Sequence, residues 1–212
     1  MRPMLRVISG PPSDRRQSDA RDGDRALALA VSRGERAAIA ILTKRCLPVV
    51  HSVARRMFKD VTEAEDIAQE TFVKVWRAID RYDADRSKLE TWVARIATNL
   101  CLDRLRKRRE ATLGEDAPDR ADTAPRADAM LVAGGSAARV RQAVEALPER
   151  QRLALELCTF QDRTNIEAAE ILGVSVEAVE SLLARARRTL KKELLEESRD
   201  LIDGLSEAHG GE

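Results

Sequence analysis

The segment from Thr62 to Ile79 repeats apolar side chains every three or four residues, a period that places them on one face of an α-helix. This apolar set predicts a buried face and consists of Ala64, Ile67, Ala68, Phe72, Val75, Trp76 and Ile79. A second set recurs at the same steps on a different face and consists of Asp66, Gln69, Glu70, Val73 and Arg77. A globular core needs only the first set. We interpret the second face as a docking surface for a partner.

The composition favours helices along the whole chain. Charged residues make up 34% and aromatic residues 3% of the 212 residues, which leaves little signal for β-strands. No apolar run approaches the length needed to span a membrane, and the N-terminus lacks the apolar core of a signal peptide. We therefore predict an all-α, cytoplasmic protein with no membrane insertion.

Breaks in the helical pattern predict two small helical domains joined by a flexible linker. The predicted segments are a disordered leader (1–23), a first domain (24–110), a linker (111–138), a second domain (139–195) and an acidic tail (196–212). The first domain has 19 basic and 13 acidic side chains, and the second has 10 and 9. This distribution suits a chain that contacts nucleic acid through chosen faces, although many other chains share it.

Helix starts are predicted by capping boxes, in which Ser or Thr is followed three residues later by Glu. These boxes are Thr62–Glu65, Ser87–Glu90 and Thr164–Glu167. Pro48 lies inside the second helical pattern and should kink or divide it, whereas Pro148 should open a new helix in its first turn.

The titratable residues do not indicate an enzyme. Cys46, Cys101 and Cys158 lie 55 and 57 residues apart inside apolar patterns, a spacing that fits neither a disulfide framework nor a zinc site. No catalytic set of side chains and no phosphate-binding glycine loop has a recognisable spacing. We expect buried free thiols, no catalytic residues, no metal and no cofactor.

Residues 165–184, NIEAAEILGVSVEAVESLLA, have the layout of a helix-turn-helix, with Gly173 at the turn. The second helix offers polar side chains away from the core, namely Glu177, Glu180, Ser181, Arg185, Arg187 and Arg188. Arginine in the major groove can bond guanine or phosphate, and a carboxylate can accept from cytosine. The alternative is a generic helical hairpin with a solvated charged face. Because the domain is nearly neutral, we expect it to bind DNA weakly by itself.

Four motifs occur in a fixed order, EDIAQETFVKVW, RYDADRSKLETWVARIATNLCLDRLRKRRE, LPERQRLALEL and NIEAAEILGVSVEAVESLLARARRTL. Over residues 24–195 the chain resembles the bacterial sigma-70 family, and its two-domain length resembles the extracytoplasmic-function branch. The resemblance implies a region 2-like bundle, a region 4-like helix-turn-helix domain, and a linker that threads RNA polymerase toward the RNA exit path.

The resemblance also implies the partner of the docking surface, which is the RNA polymerase core, including the β′ clamp helices and the β subunit. The implied contacts, called here the core-binding face, are Asp66, Gln69, Glu70, Val73 and Lys74.

The resemblance implies that the loop over 81–87 and the helix over 89–109 bind the −10 promoter element. The implied contacts, called the −10 face, are Arg81, Tyr82, Lys88, Arg95, Asn99, Arg104, Arg106 and Lys107. Holding unstacked bases needs a cationic track with stacking or pocket groups. Tyr82 and Trp92 are the aromatic residues near this track, and core packing is the alternative role of Trp92.

The second domain is implied to read the −35 element. The implied contacts, called the −35 face, are Thr164, Glu180, Ser181, Arg185, Arg187 and Arg188. Many family members have a basic residue where Glu180 stands and a bulkier one where Ala184 stands, so the preferred −35 sequence stays open.

The resemblance implies a sigma factor, which directs RNA polymerase to promoter DNA and helps to melt it, and which an anti-sigma factor holds inactive. The alternative is a conventional helix-turn-helix regulator with an N-terminal sensor or dimerisation domain. Such a regulator needs neither the docking surface nor the basic end of the helix over 89–109. A further alternative, a purely structural adaptor protein, would not explain the helix-turn-helix motif.

Overall fold

The chain folds into eight α-helices over the residues that the computed structural model describes, which are 13–113 and 136–209, with side chains described over 18–111 and 139–195. These helices are α1 (Ser13–Ser32), α2 (Arg36–Met57), α3 (Val61–Ala78), α4 (Leu89–Leu113), α5 (Ser136–Ala146), α6 (Glu149–Leu155), α7 (Asn165–Leu172) and α8 (Val176–His209). A 3₁₀ turn over Ile79–Arg81 follows α3, and a π-helical turn over Glu156–Phe160 follows α6. Residues 13–113 and 136–209 contain no strand, so the predicted all-α fold is confirmed.

Helix α2 is the centre of the first domain and packs against α1, α3 and α4. Its buried side chains are Ala38, Leu42, Cys46, Val49, Val50, Val53, Ala54 and Met57. By length and composition alone, with a mean hydropathy of 1.3, α2 could cross a membrane, but core helices also pass this test. Pro48 lies within α2 and does not divide it into two helices.

The start of α4 is capped by a side chain from α1. The carboxylate of Asp24, only 4% exposed, accepts a hydrogen bond from the backbone N–H of Leu89 at 2.9 Å and is paired with Arg45. The capping box predicted at Ser87 is wrong, because the Ser87 hydroxyl donates to the carbonyl of Lys88 at 3.3 Å. The cap comes instead from a residue 65 positions earlier in the chain.

Helix α3 differs from its prediction at both ends. Asp60 is the N-cap and accepts from the N–H of Thr62 at 2.9 Å, so the box predicted at Thr62 is wrong. Trp76, predicted to be buried, is 44% exposed. Thr71 lies near the middle of the buried face. Its hydroxyl donates to the Ile67 carbonyl at 2.7 Å, so the hydroxyl is buried with its hydrogen bond made. Trp76 falls at the edge of that face.

The second domain has the predicted helix-turn-helix geometry in α7 and α8. Thr164 and Glu167 form the predicted capping box at the start of α7. Gly173 ends α7 with φ +65°, a left-handed conformation that glycine adopts without a Cβ clash. The Ser175 hydroxyl accepts from the N–H of Ala178 at 3.2 Å and caps α8. Pro148 is the N-cap of α6, one position before the predicted one.

Both chain ends are more helical than the sequence predicts. Residues 13–23, predicted to be disordered leader, form the first half of α1, and residues 196–209 of the predicted acidic tail continue α8. Helix α4 reaches Leu113 and α5 begins at Ser136, so both intrude on the predicted linker over 111–138. The rest of the leader (1–12), of the linker (114–135) and of the tail (210–212) lies outside the described residues.

The two domains pack against each other, α2 on α6 and the π-helical turn, and α4 on α7. Glu156, 2% exposed, accepts from Nε of Arg56 at 2.6 Å and from the hydroxyl of Ser52. The Arg56 guanidinium also lies 4.5 Å from the centre of the Phe160 ring, a cation–π distance. Burial of a carboxylate is costly unless it is paired and hydrogen-bonded, and these contacts supply both.

We expect Asp24→Ala to lower the free energy of unfolding by about 2–3 kcal/mol, because it removes the cap of α4 and leaves Arg45 without its buried partner. Urea unfolding followed by circular dichroism measures the change. Asp22→Ala is the matched control on the same helix, since the Asp22 side chain is 72% exposed and is paired with Arg25. We expect the control to change the free energy by no more than about 0.5 kcal/mol. Equal losses in the two variants would contradict the role given to Asp24.

Candidate polymerase and nucleic-acid interfaces

The core-binding face lies on the side of α3 that points away from the helical core. Asp66, Gln69, Val73 and Lys74 are exposed, and Glu70 is half-buried. Glu70 is paired with Lys74 at 3.6 Å and with Arg104 of α4 at 3.2 Å. The structure therefore brings the five predicted residues onto one accessible surface.

Trp76 extends this surface and was missed because its spacing also fits the buried face. Its ring packs at a tilt against Phe72, with 6.4 Å between the ring centroids, while the rest stays exposed. Exposed Val73 lies three residues earlier on the same helix. Large apolar side chains among polar ones are typical of the anchor points of protein interfaces.

A cleft of about 390 Å³ lies against the first half of α4. Its lining includes Arg81, Arg95 and Asn99 of the −10 face, and also Trp92. Thr91 is a further lining residue that the sequence did not indicate, and its buried hydroxyl has no hydrogen-bond partner among the described residues. The cleft thus combines guanidinium, amide, hydroxyl and aromatic groups, a set that can hold an unstacked nucleotide.

Tyr82 packs against Trp92 and does not itself line this cleft. Its hydroxyl donates to the carbonyl of Ser87 at 3.0 Å, and its ring lies 5.5 Å from the ring of Trp92. Burial, followed by the nearby charge of Asp24, raises the pKa of the Tyr82 hydroxyl. Trp92 is half-buried, so it both packs against Tyr82 and lines the cleft.

The remaining basic residues of the −10 face are spread along α4 and at its start. Arg104 is paired with Glu70, and Arg106 is paired with Asp103 at 3.2 Å, while Lys107 is exposed on the same helix. These three form a basic helix end separate from the cleft. Before α4, Lys88 is paired with Glu167 of α7 at 2.7 Å.

Glu167 is held in its charged form by these contacts. Burial favours the neutral carboxyl, but the hydrogen bonds from Lys88 and Thr164 outweigh it and lower the pKa of Glu167. Thr164 is accessible at the start of α7, with its hydroxyl engaged in the capping box.

The other residues of the −35 face lie along the exposed side of α8. They are Glu180, Ser181, Arg185, Arg187 and Arg188. Nη2 of Arg185 donates to the Ser181 hydroxyl at 3.0 Å, which orients the guanidinium along the helix. Glu180 accepts from the side-chain amide of Asn165 at 3.5 Å, which brings it close to the start of α7.

The cysteines have a structural environment. Burial raises the pKa of the Cys46 and Cys101 thiols to about 12, so both stay protonated at neutral pH. Cys158 is half-buried, with its pKa also raised by burial. Within the part of the chain that the structure describes, no group of three His, Cys, Asp or Glu side chains is placed to hold a metal ion.

Comparisons with known proteins match both domains. The Sigma-70 region 2 model matches residues 42–111, and the Sigma-70 region 4 model matches residues 137–190. The chain is 31% identical to the extracytoplasmic-function (ECF) RNA polymerase sigma factor SigW of Bacillus subtilis, over 77% of this chain and 92% of that protein. It is 32% identical to the RNA polymerase sigma factor CnrH of Cupriavidus metallidurans, over 80% of this chain and 93% of CnrH.

Solved structures agree with these matches. CnrH in complex with the cytosolic domain of CnrY superimposes with a TM-score of 0.60 at 30% identity, over 81% of this chain and 96% of CnrH. The sigma factor RpoE of Bartonella quintana, in complex with the anti-sigma factor NepR, superimposes with a TM-score of 0.55 at 25% identity, over 72% and 93% of the two chains. From its two matched regions and these relatives, the chain belongs to the ECF branch of the sigma-70 family of RNA polymerase sigma factors.

Proposed function

We propose that this sigma factor binds RNA polymerase core through the core-binding face of α3, and that its −10 and −35 faces then contact the two promoter elements. Its family makes it a transcription initiation factor, and the polymerase performs the chemistry. The observation that carries the residue assignment is the accessible stripe on α3, which the fold of the chain itself leaves without an apolar partner.

The chemistry of the stripe suits a partner with basic and apolar side chains. Asp66 and Glu70 offer carboxylates, and Val73 and Trp76 offer an apolar centre beside them. Charged groups at an interface guide association and fix its register, whereas buried aromatic groups contribute most of the affinity. The β′ clamp helices and the β subunit are the polymerase elements proposed to meet this domain.

The −10 face suits a single strand, because the cleft beside Arg95, Asn99 and Trp92 is too small for a duplex but large enough for a base. The basic helix end lies farther along α4, separate from the cleft, and offers cations for phosphates. The −35 face suits a duplex, because α8 is the second helix of a helix-turn-helix and exposes Arg185 and Arg188 on one side, with Arg187 at the edge of the exposed surface.

An anti-sigma factor is the further partner that we propose, in the cytoplasm where the chain would meet the polymerase. The support is that two structural neighbours, CnrH and RpoE, were solved in complexes with CnrY and NepR. Copurification that recovers the polymerase but no other stoichiometric partner would count against it.

We expect Asp66→Arg/Glu70→Arg to lower run-off transcription with core polymerase by at least about tenfold, since two reversed charges repel the partner and displace Lys74 and Arg104. The templates are promoters selected with the wild-type holoenzyme. Asp22→Arg/Glu35→Arg is the matched control, with the same two changes at exposed positions on α1 and just before α2. Wild-type activity in the Asp66/Glu70 variant, or no activity in the wild type itself, would refute the assignment.

We expect Trp76→Ala to weaken core binding by at least about 2 kcal/mol, the loss typical of a central aromatic anchor. Titration of core polymerase with a labelled chain measures the dissociation constant. Leu29→Ala is the control, because Leu29 is a similarly exposed apolar residue on α1. An unchanged dissociation constant for Trp76→Ala, in a variant with normal circular dichroism, would remove Trp76 from the interface.

We expect Asn99→Ala and Arg185→Ala to impair different steps of transcription initiation. Arg185→Ala removes a duplex contact and should weaken promoter binding about 5- to 150-fold. Asn99→Ala should leave the upstream footprint intact but reduce the permanganate reactivity of thymines in the melted region. Arg33→Ala, an exposed change at the end of α1, serves as the control. Identical defects in both assays for the two variants would contradict the division of labour.

A further inference from the structure

The exposed side of α8 begins with two carboxylates. In the second helix of a helix-turn-helix, the N-terminal residues contact base edges in the major groove. Glu177 and Glu180 are exposed in this part of α8, three residues apart, and the exposed arginine Arg185 follows them. Phosphates repel both carboxylates, and like charges at this spacing also disfavour the helix slightly. Neither carboxylate therefore helps α8 to bind DNA through its phosphates.

Glu177 stabilises the helix itself. It lies in the first turn of α8, where backbone N–H groups lack helical partners and a negative charge is favourable. Hydrogen bonds from its own backbone N–H and from the Ser175 hydroxyl lower the pKa of Glu177. Its carboxylate thus supports the start of α8 whether or not DNA is bound.

Glu180 has no comparable role in the fold. It is the fifth residue of α8, past the turn in which the N–H groups lack partners. Four residues after it, where a cation could pair with it, stands Ala184. Within the residues whose side chains are described, Glu180 makes no ion pair, and its polar contact is with the Asn165 amide.

Asn165, at the start of α7, positions the Glu180 carboxylate. The Asn165 amide nitrogen donates to Oε1 of Glu180 at 3.5 Å, and the Asn165 amide oxygen accepts from the Cys158 thiol at 3.7 Å. Burial raises the pKa of the Cys158 thiol, which favours its protonated form. Because the amide oxygen is engaged with the thiol, the amide nitrogen faces Glu180. The other carboxylate oxygen, Oε2, remains available to a ligand.

A small residue beside Glu180 lets the helix come close to the bases. Ala184 is exposed and lies on the same side of α8, one turn after Glu180. A glutamate side chain is shorter than an arginine side chain, so it reaches a base edge only if the helix lies close. A bulky residue at position 184 would hold α8 farther from the base pairs.

The chemistry of a carboxylate selects among the four bases. An ionised carboxylate only accepts hydrogen bonds, so the acceptor atoms that guanine and thymine present in the major groove repel it. Adenine and cytosine each present an amino group there, but the adenine amino group lies beside the acceptor N7. Cytosine is therefore the base that suits a glutamate best.

We propose that Glu180 accepts a hydrogen bond from the amino group of a cytosine in the −35 element, and so makes one position of this element specific for a C·G pair. This inference rests on the proposed function of the −35 face. Arg185 lies five residues later, about 7.5 Å along the helix axis, which exceeds one base-pair step of about 3.4 Å. Arg185 therefore contacts a different base pair from Glu180.

The test uses the holoenzyme and selects bound promoters from a DNA pool with a randomised −35 region. We expect the wild type to select cytosine at one position, where another base weakens binding about 5- to 150-fold. Glu180→Gln should change the preference at this position to adenine, because glutamine bonds N6 and N7 of adenine. The preferences at the other positions should stay the same.

Two further variants show whether the effect belongs to this contact. Glu193→Gln is the matched control, since it removes the same charge from a partly exposed position of α8 outside the −35 face. Both glutamine variants should bind every sequence somewhat more tightly, but Glu193→Gln should keep the wild-type base preferences. Arg185→Ala should lose the preference at a different position and keep the cytosine.

The possible failures can be told apart. Unchanged base preferences in Glu180→Gln, or the same altered preference in Glu193→Gln, would overturn the contact between Glu180 and cytosine while leaving the −35 face in place. A wild-type holoenzyme that selects no sequence in the randomised region would instead contradict the proposed function of the −35 face, and the cytosine contact with it.

Discussion

The buried carboxylate of Asp24 is the interaction on which the arrangement of the first domain depends. It caps α4, lies 3.4 Å from the Tyr82 hydroxyl and pairs with Arg45. Arg45 in turn binds Glu90 at 2.9 Å, and Glu90 binds Arg163 of the second domain. One side chain of α1 therefore fixes where α4 begins, how the loop before α4 lies, and where the second domain is attached.

Basic residues of the first domain that are proposed to contact DNA also attract the second domain. Lys88 and Arg109 pair with carboxylates of the second domain, since exposed cations do not distinguish strongly between carboxylates and phosphates. Each exposed pair is worth only about 0–1 kcal/mol, so such a contact can be replaced by a more highly charged polymer. The buried pair of Arg56 and Glu156 has a more restricted geometry and therefore determines where the two domains meet.

Local patterns in the sequence predicted what local physics decides. The helical periods, the capping box at Thr164 and the glycine turn at Gly173 involve residues within four positions of one another, and the structure contains them. The helix caps formed by Asp24 and Asp60 could not be predicted from such local patterns. Asp24 lies 65 residues before its N–H partner, and Asp60 competes with Thr62 for the same helix start.

The candidate faces were predictable to a similar extent. The stripe on α3 follows from periodicity, but the position of Trp76 at the edge of the buried face depends on how α2 and α4 pack there. The hydroxyl of Thr91 and the contact of α7 with α4 depend on the relation between two domains. A sequence read one helix at a time contains no signal for such a contact.

The core-binding and −10 faces are linked through a shared ion pair. Glu70 of the first face is bound to Arg104 of the second at 3.2 Å, and a second pair between α3 and α4 joins Glu63 and Arg108 at 3.6 Å. A polymerase cation that binds Glu70 must compete with Arg104 for the carboxylate. Because both residues are partly exposed, the exchange costs little, and it leaves the arginine available to a phosphate. Under the proposed function, polymerase docking on α3 would favour DNA binding on α4 through this one carboxylate, without requiring either helix to move.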